Sequence, residues 1–306
     1  SDAIRLVQTG VDTWMAIVDN GRSFEVKAGE NGDLDVQMVT IRSASFAASV
    51  SAALSGNKSK SFSGAGAYAE NTINQATEAV IKAQSSVTTS GDVTVEASSQ
   101  AGIAASILSA SLSIGVGRDG GALSVGIAIA KNTIGSTLTG SRVKAAIETS
   151  KAASSAGKIS VLASNLQAIR AETFAAAVAV AGGKRGVALS GTGAENTNII
   201  ATQTIASIEG KLSDSNGVSG QSVEVKAVNN SSVSSLTAAA AVSAAIGSKA
   251  VSLAIGVGLA SNVLTGTTSA TISKNAEVTA NATDVTVKAE DTSNISAIAA
   301  AASVSV

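Results

Sequence analysis

Cysteine, histidine and proline are all missing from these 306 residues. Without cysteine there is no disulfide, no thiol chemistry and no thiolate metal site. Without histidine the chain lacks the commonest general base and the commonest transition-metal ligand. Average usage would place roughly 15 prolines in a chain of this length. Proline cannot donate to a sheet ladder, so a chain with none is compatible with continuous strand pairing. Aromatic residues make up only 2%: Trp14, Tyr68 and four Phe. That is too few for base-stacking platforms, for sugar-binding platforms or for the aromatic girdles of a membrane barrel. Charge is sparse and balanced, 21 basic against 22 acidic residues, so no global field draws in nucleic acid or an anionic membrane. No apolar run reaches the ~18 residues of a membrane helix. Ser1-Asp2-Ala3-Ile4-Arg5 does not read as a signal peptide, and the last residues, Ser303-Val304-Ser305-Val306, alternate without a cap. The expectation is a segment of a longer polypeptide.

What is present is mostly Ala, Ser, Gly, Val, Thr and Ile, and it recurs. Gly32-Asp33-Leu34-Asp35-Val36, Gly91-Asp92-Val93-Thr94-Val95, Gly157-Lys158-Ile159-Ser160-Val161, Gln221-Ser222-Val223-Glu224-Val225 and Thr283-Asp284-Val285-Thr286-Val287 are spaced by 59, 66, 64 and 62 residues. Each reads as a turn followed by a half-buried strand. In the last four copies an alanine follows, at Ala97, Ala163, Ala227 and Ala289. A second landmark keeps the same phase: Asn71, Asn132, Asn196 and Asn262 each follow an Ala-x pair. A third is a glycine-containing turn carrying a basic residue, with Lys58, Arg118, Lys184 and Lys249 as the recurring cations. Three landmarks on one period define a repeat of about 62 residues, the signature of a solenoid or array. The expected divisions are residues 32–90, 91–156, 157–220, 221–282 and the beginning of a fifth copy at 283–306. Residues 1–31 stand as a divergent or partial copy, and all belong to one continuous solenoid.

Within a copy the pattern is that of strands. Leu108, Ala110, Leu112, Ile114 and Val116 alternate with Ser and Gly, and Leu123, Val125, Ile127 and Ile129 do so after the turn. A period of two puts the branched residues on one face and leaves Gly, Ala and Ser on the other. Stacking of copies in parallel then gives the branched face a shared dry interior. The flat face either meets water or lies close against another sheet. The alanine runs 238–241 and 299–302 have helix propensity, but their β-branched and alternating neighbours favour strands. The fold class predicted is therefore all-β, an elongated repetitive β-solenoid resembling a parallel β-helix. The long segments either side of each turn could alternatively project as antiparallel hairpins.

Gly-Asp-Val-Thr-Val-Glu-Ala at 91–97, then an Ala/Ser/Gly/Val segment, then Ala-x-Asn-Thr, resembles the repeat regions of very large secreted bacterial exoproteins. These are the filamentous-haemagglutinin-like adhesins and leukotoxin-like surface proteins. The resemblance spans about residues 32–306. It implies a β-solenoid, an extracellular or cell-surface location, and a role as stalk, adhesin or matrix fibre. The partners it implies are flanking repeats or other copies of the same chain, with surface polysaccharide or a host or neighbouring cell surface beyond them. Neither nucleic acid binding nor membrane insertion is expected.

The remaining candidates are structural. Stacked Asn71, Asn132, Asn196 and Asn262 would form an amide ladder, because the amide both donates and accepts along one axis. Alternatively each asparagine serves a left-handed turn. The column Lys58, Arg118, Lys184 and Lys249 would contact acidic polysaccharide, or would simply keep a flat β-surface soluble. Asp214-Ser215-Asn216-Gly217 and Asp33-Leu34-Asp35 look like half of a calcium loop, yet calcium needs six to eight oxygens. Asx turns account for both. Gly182-Gly183-Lys184 lacks the Lys-Ser/Thr ending of a phosphate loop. Serine has no histidine to activate it. Catalytic, cofactor and metal residues are therefore set at none, and no enzymatic activity is expected.

Overall fold

The computed structural model describes the backbone of four strands within residues 4–39, and residues 41–135, 141–210 and 217–306 in full. Among the described residues every regular element is a strand. The first four, β1 (Ile4–Gly10), β2 (Thr13–Val18), β3 (Ser23–Ala28) and β4 (Leu34–Val39), form an antiparallel meander. The strand expected after Gly32-Asp33 thus exists as β4, but it pairs antiparallel with β3. The parallel column at Val93, Ile159, Val223 and Val285 is built by the later copies. Trp14 and Met15 lie on β2.

From Ile41 onward the chain makes successive passes, here called rungs, through three parallel sheets. Rung one comprises β5 (Ile41–Leu54), β6 (Lys58–Ile73), β7 (Ala76–Ile81) and β8 (Ser86–Thr89). Rung two comprises β9 (Val93–Val116), β10 (Asp119–Gly135), β11 (Arg142–Glu148) and β12 (Lys151–Ser154). Rung three is β13 (Ile159–Gly182), β14 (Arg185–Glu209) and β15 (Val218–Gly220). Rung four is β16 (Val223–Asn229), β17 (Ser232–Ile246), β18 (Val251–Ser273) and β19 (Val278–Ala280). Rung five is β20 (Val285–Asp291) and β21 (Asn294–Ser305).

Strands β5, β9, β13, β16–β17 and β20–β21 make the first sheet, and β6–β7, β10–β11, β14 and β18 the second. A narrow third sheet holds β8, β12, β15 and β19. All three are parallel and in register: Ile103 pairs with Ile41 and Ile169, Ala128 with Ala67 and Ala194, and Ala152 with Val87 and Val218. The segments flanking each basic turn pair with the equivalent segments of neighbouring rungs, so the first and second sheets face each other instead of forming hairpins. Alanines 238–241 and 299–302 lie within β17 and β21 as strand. At the corner leaving the second sheet, Gln84, Thr149, Gly210 and Lys274 all take positive φ, at 61°, 44°, 70° and 54°. Only one of them is a glycine, so the turn is imposed by the stacking of the rungs.

The interior tapers. At the base, where the third sheet props the other two apart, Val93, Val95, Val143, Ile159, Val161, Ile208, Val218 and Val225 form the main apolar cluster. Further along come isoleucines (Ile73, Ile103, Ile134, Ile169 and Ile200), then mostly alanines with Ile107, and finally alanines alone around Ala122, Ala179 and Ala188. At the tip of rung two even alanine is too large, since a Cβ on Gly115 would lie 2.0 Å from the carbonyl oxygen of Gly121, while Ala53 and Ala181 hold the same place on the neighbouring rungs. Size decreases toward the turn because strands joined by Gly117-Arg118 begin side by side and diverge slowly. The thin outer portion is a blade.

This taper corrects one expectation. Parity never changes along β9: odd-numbered residues point inward from Val93 to Gly115. At the base they include the branched Val93, Val95 and Ile103. In the blade they are Ser109, Ser111, Ser113 and Gly115, all buried, while Leu108 and Val116 are exposed. The same holds in β10, where Ala122, Ser124, Gly126 and Ala128 point inward and Leu123, Val125, Ile127 and Ile129 outward. The shared interior of branched side chains exists at the base only. In the blade the flat faces meet each other and the aliphatic faces turn out.

Candidate interaction faces of the blade

Serine hydroxyls knit the two inner faces of the blade. Ser49 meets Ser63 at 2.7 Å, Ser51 meets Ser61 at 2.9 Å, Ser111 meets Ser124 at 2.7 Å, and Ser109 donates to the Ala65 carbonyl at 2.9 Å. A Cβ on Gly126 would come within 2.7 Å of the Ala176 oxygen, and one on Gly258 within 2.5 Å of the Ala300 oxygen. No branched side chain fits there.

The outward positions of the first sheet form columns across the rungs: Phe46, Leu108, Phe174, Ala238 and Ala300; then Val50, Leu112, Val178, Val242 and Val304. The alanines 48, 110, 176, 240 and 302 lie between them. The second sheet presents Phe62, Leu123, Leu189 and Leu253, and beside them Gly64, Val125, Gly191 and Ile255. Many of these positions are exposed, such as Leu253 at 50%, and others, such as Leu112, Leu123, Phe174 and Val178, are half-buried. An apolar face extending along about 26 Å of strand and across four or five rungs exceeds the scattered apolar residues of an ordinary surface, and faces of this kind mark contact sites. The candidate functional surface is therefore the pair of outer blade faces, none of whose residues is among the candidates that polar side chains suggest. Its signal lay in adjacent Ile107 and Leu108, where one continuous strand begins to place bulk on the other face.

Three of the four asparagines of the expected ladder are in one hydrogen-bonded column. Asn71 donates to Asn132 at 2.8 Å, Asn132 to Asn198 at 2.8 Å, and Asn198 to Asn262 at 2.7 Å. The third-rung member is Asn198 and not Asn196, because β10 and β14 pair with a 66-residue offset that aligns Asn132 with Asn198 and Ala130 with Asn196. Asn196 instead donates to the Ala171 carbonyl at 3.0 Å. Ser43 and Ser235 accept from Asn71 and Asn262 at the two ends of the column.

A second ladder lies nearer the base: Asn165 donates to Asn229, and Asn229 to Asp291, both at 2.9 Å. It lines a cavity of about 360 Å³ with Thr202, Gly266 and Ser293. The sequence signal was available two residues beyond the recurring Ala163, Ala227 and Ala289. Burial pushes the Asp291 carboxyl up, but hydrogen bonds from Ser293, Asn229 and Thr268 outweigh it and hold the group below the usual carboxylate range.

The turn cations divide between two registers. Lys58 aligns with Asp119 and Arg185, and the Lys249 amide donates to the Lys184 carbonyl in the same direction as Arg185 donates to Arg118. Lys58 and Lys249 therefore share a column with Asp119 and Arg185, while Arg118 and Lys184 sit one residue earlier. The expected all-basic column is a mixed one, with Arg185 fixed on Asp119 through two bonds at 2.8 and 2.9 Å. That bond, followed by the charges of Arg185, Lys58 and Arg118, holds the Asp119 carboxyl below its ordinary value. Carboxylate titration by NMR should find Asp119 among the most acidic aspartates, and Arg185→Ala should move it back toward about 3.9. An unchanged titration in that variant would mean that the pair is not formed in solution.

The half calcium loops at Asp33 and Asp214 lie outside the residues described in full. No family model, curated protein or solved structure matches the chain.

Proposed function

We propose that this chain is a structural, adhesive stalk segment of a large secreted bacterial cell-surface protein, coiled as a β-solenoid with one turn of about 62 residues per rung. The observation that carries the reading is the parallel pairing of successive rungs in all three sheets, with partners such as Ile103 and Ile169, or Leu189 and Leu253, separated by one rung of sequence. Each rung templates the next, so length is added by adding copies, which is what a spacer requires. The role is structural rather than enzymatic, and the aliphatic blade faces supply the contact surface. Immunogold labelling of intact producing cells should decorate the surface. Labelling that appears only after permeabilisation would overturn the proposal.

One observation favours a second reading, a subunit of an extracellular filament. Strands β18 and β21 are long edges at one end of the stack, and β5 and β6 at the other. Such edges accept a further strand from the same polypeptide or from another chain. Electron microscopy across a dilution series separates the two readings, since particles of constant length along the stack support the stalk and particles that lengthen with concentration support the filament.

A further inference from the structure

The outer face of the second sheet is corrugated, and the corrugation alternates by rung. In rung one the central outward positions are Gly64 and Gly66, and in rung two they are Val125 and Ile127. In rung three they are Gly191 and Gly193, and in rung four Ile255 and Val257. All four of these glycines face open space, with no atom within 4 Å of an added Cβ. At these two positions grooves and ridges thus follow one another along the stack with a period of two rungs, about 9.6 Å, while the neighbouring column of Phe62, Leu123, Leu189 and Leu253 carries bulk on every rung. By contrast, the first sheet repeats Val or Leu at every rung of its Val50 column, so its ridges run along the stack without alternation.

We propose that the outer face of the second sheet is a lateral docking surface for a second copy of this chain, related by a two-fold axis that runs along the strands between rungs two and three. That operation sets rung two against rung three and rung one against rung four. Val125 and Ile127 then face Gly191 and Gly193 of the second copy, and its Ile255 and Val257 face Gly64 and Gly66. A two-fold axis along the stack would set each rung against its own equivalent, ridge on ridge. The axis along the strands is therefore the self-complementary choice, and the interface is isologous.

The rim agrees in charge. Lys131 pairs in register with Thr197, and Glu195 is two residues away on that strand, so the same axis brings Lys131 close to Glu195 of the second copy. The area is also adequate. Four strands about 4.8 Å apart, followed from Lys60 to Glu70, give roughly 600 Å² per copy and about 1,200 Å² in total, above the ~1,000 Å² expected of a specific interface.

The proposal goes beyond the stalk reading and does not depend on it. Sedimentation equilibrium of the chain from 1 to 100 µM tests it, with circular dichroism as the check on folding. The wild type should reach a mass of two chains and stop there. Gly191→Val fills a groove without touching the protomer's interior and should weaken association at least 100-fold. Adding Val125→Gly moves the ridge by one rung and should restore the dimer. Val178→Lys, on the first sheet's outer face, should leave it intact. A monomer at 100 µM, growth beyond two copies, a dimer indifferent to Gly191→Val, no rescue by Val125→Gly, or dissociation by Val178→Lys would each overturn the proposal. Should Gly191→Val fail to fold, Ile127→Lys replaces it, with dissociation expected. None of these outcomes moves the surface labelling that tests the stalk.

Discussion

Valine at Gly126 should cost about 3 kcal/mol or more, whereas valine at Gly191 should leave stability unchanged or slightly raised. Both glycines occupy the second sheet, on neighbouring rungs and in the thin part of the blade. They differ in the direction their side chain would take. Gly126 points inward, where a Cβ would lie 2.7 Å from the Ala176 oxygen. That atom belongs to the backbone of the facing sheet, so relief requires the two sheets to part. Overpacking usually costs 1–3 kcal/mol, and here the serine contacts on either side would stretch as well. Gly191 points outward into open space, and valine has the higher β-propensity. Urea unfolding followed by circular dichroism measures both effects, at a concentration where association is absent. Equal midpoints for the two variants would mean that the small-residue face is not the inner one, and the description of the blade would fail with it.

The contrast also marks what was legible in the sequence. Strand parity was: the alternation at Leu108–Val116 and Leu123–Ile129 places side chains as the structure does. The parallel stacking followed from motif spacing. Which face is inside did not follow, because the hydrophobic rule alone places the branched residues in the interior. The rule holds at the base, where three sheets enclose room for Val161 and Val225. It fails in the blade, where the short turns keep the two sheets close and the inward positions hold mostly serine, alanine and glycine, with threonine at Thr173, Thr192 and Thr237. Geometry outranks hydrophobicity there, and the apolar surface is displaced outward to await a partner. A strand whose inward residues begin as Val93 and Val95 and end as Ser113 and Gly115 carried that information. Asn196 was misplaced for a related reason. The Ala-x-Asn pattern marks both Asn196 and Asn198 in Ala194-Glu195-Asn196-Thr197-Asn198, and only pairing register chooses between them.

Asn132→Asp should be among the most destabilising of isosteric substitutions, and its penalty should depend on pH. Asn132 is 1% exposed, and its amide accepts from Asn71 and donates to Asn198. A carboxylate can still accept from Asn71. It cannot donate to Asn198, whose carbonyl oxygen would then face an anion with no proton between them. Leaving a charge unmatched in such a place costs about 3–5 kcal/mol. Burial and the loss of that donor favour the protonated acid, so the aspartate's pKa in the folded state rises above its unfolded value near 3.9. The folded state then binds the proton more tightly than the unfolded one. The variant should be most nearly normal below about pH 4, lose stability as pH rises from there to the raised folded pKa, and remain at its full penalty above it. Asn132→Ala and Asn198→Ala, which leave ladder partners unmet, should each cost about 1–3 kcal/mol, and Asn196→Ala less, since it interrupts no column. Unfolding midpoints across pH 3 to 8 check both the order and the slope. A flat profile for Asn132→Asp, or a larger loss at Asn196 than at Asn198, would show that the amides stand in line without holding the rungs together.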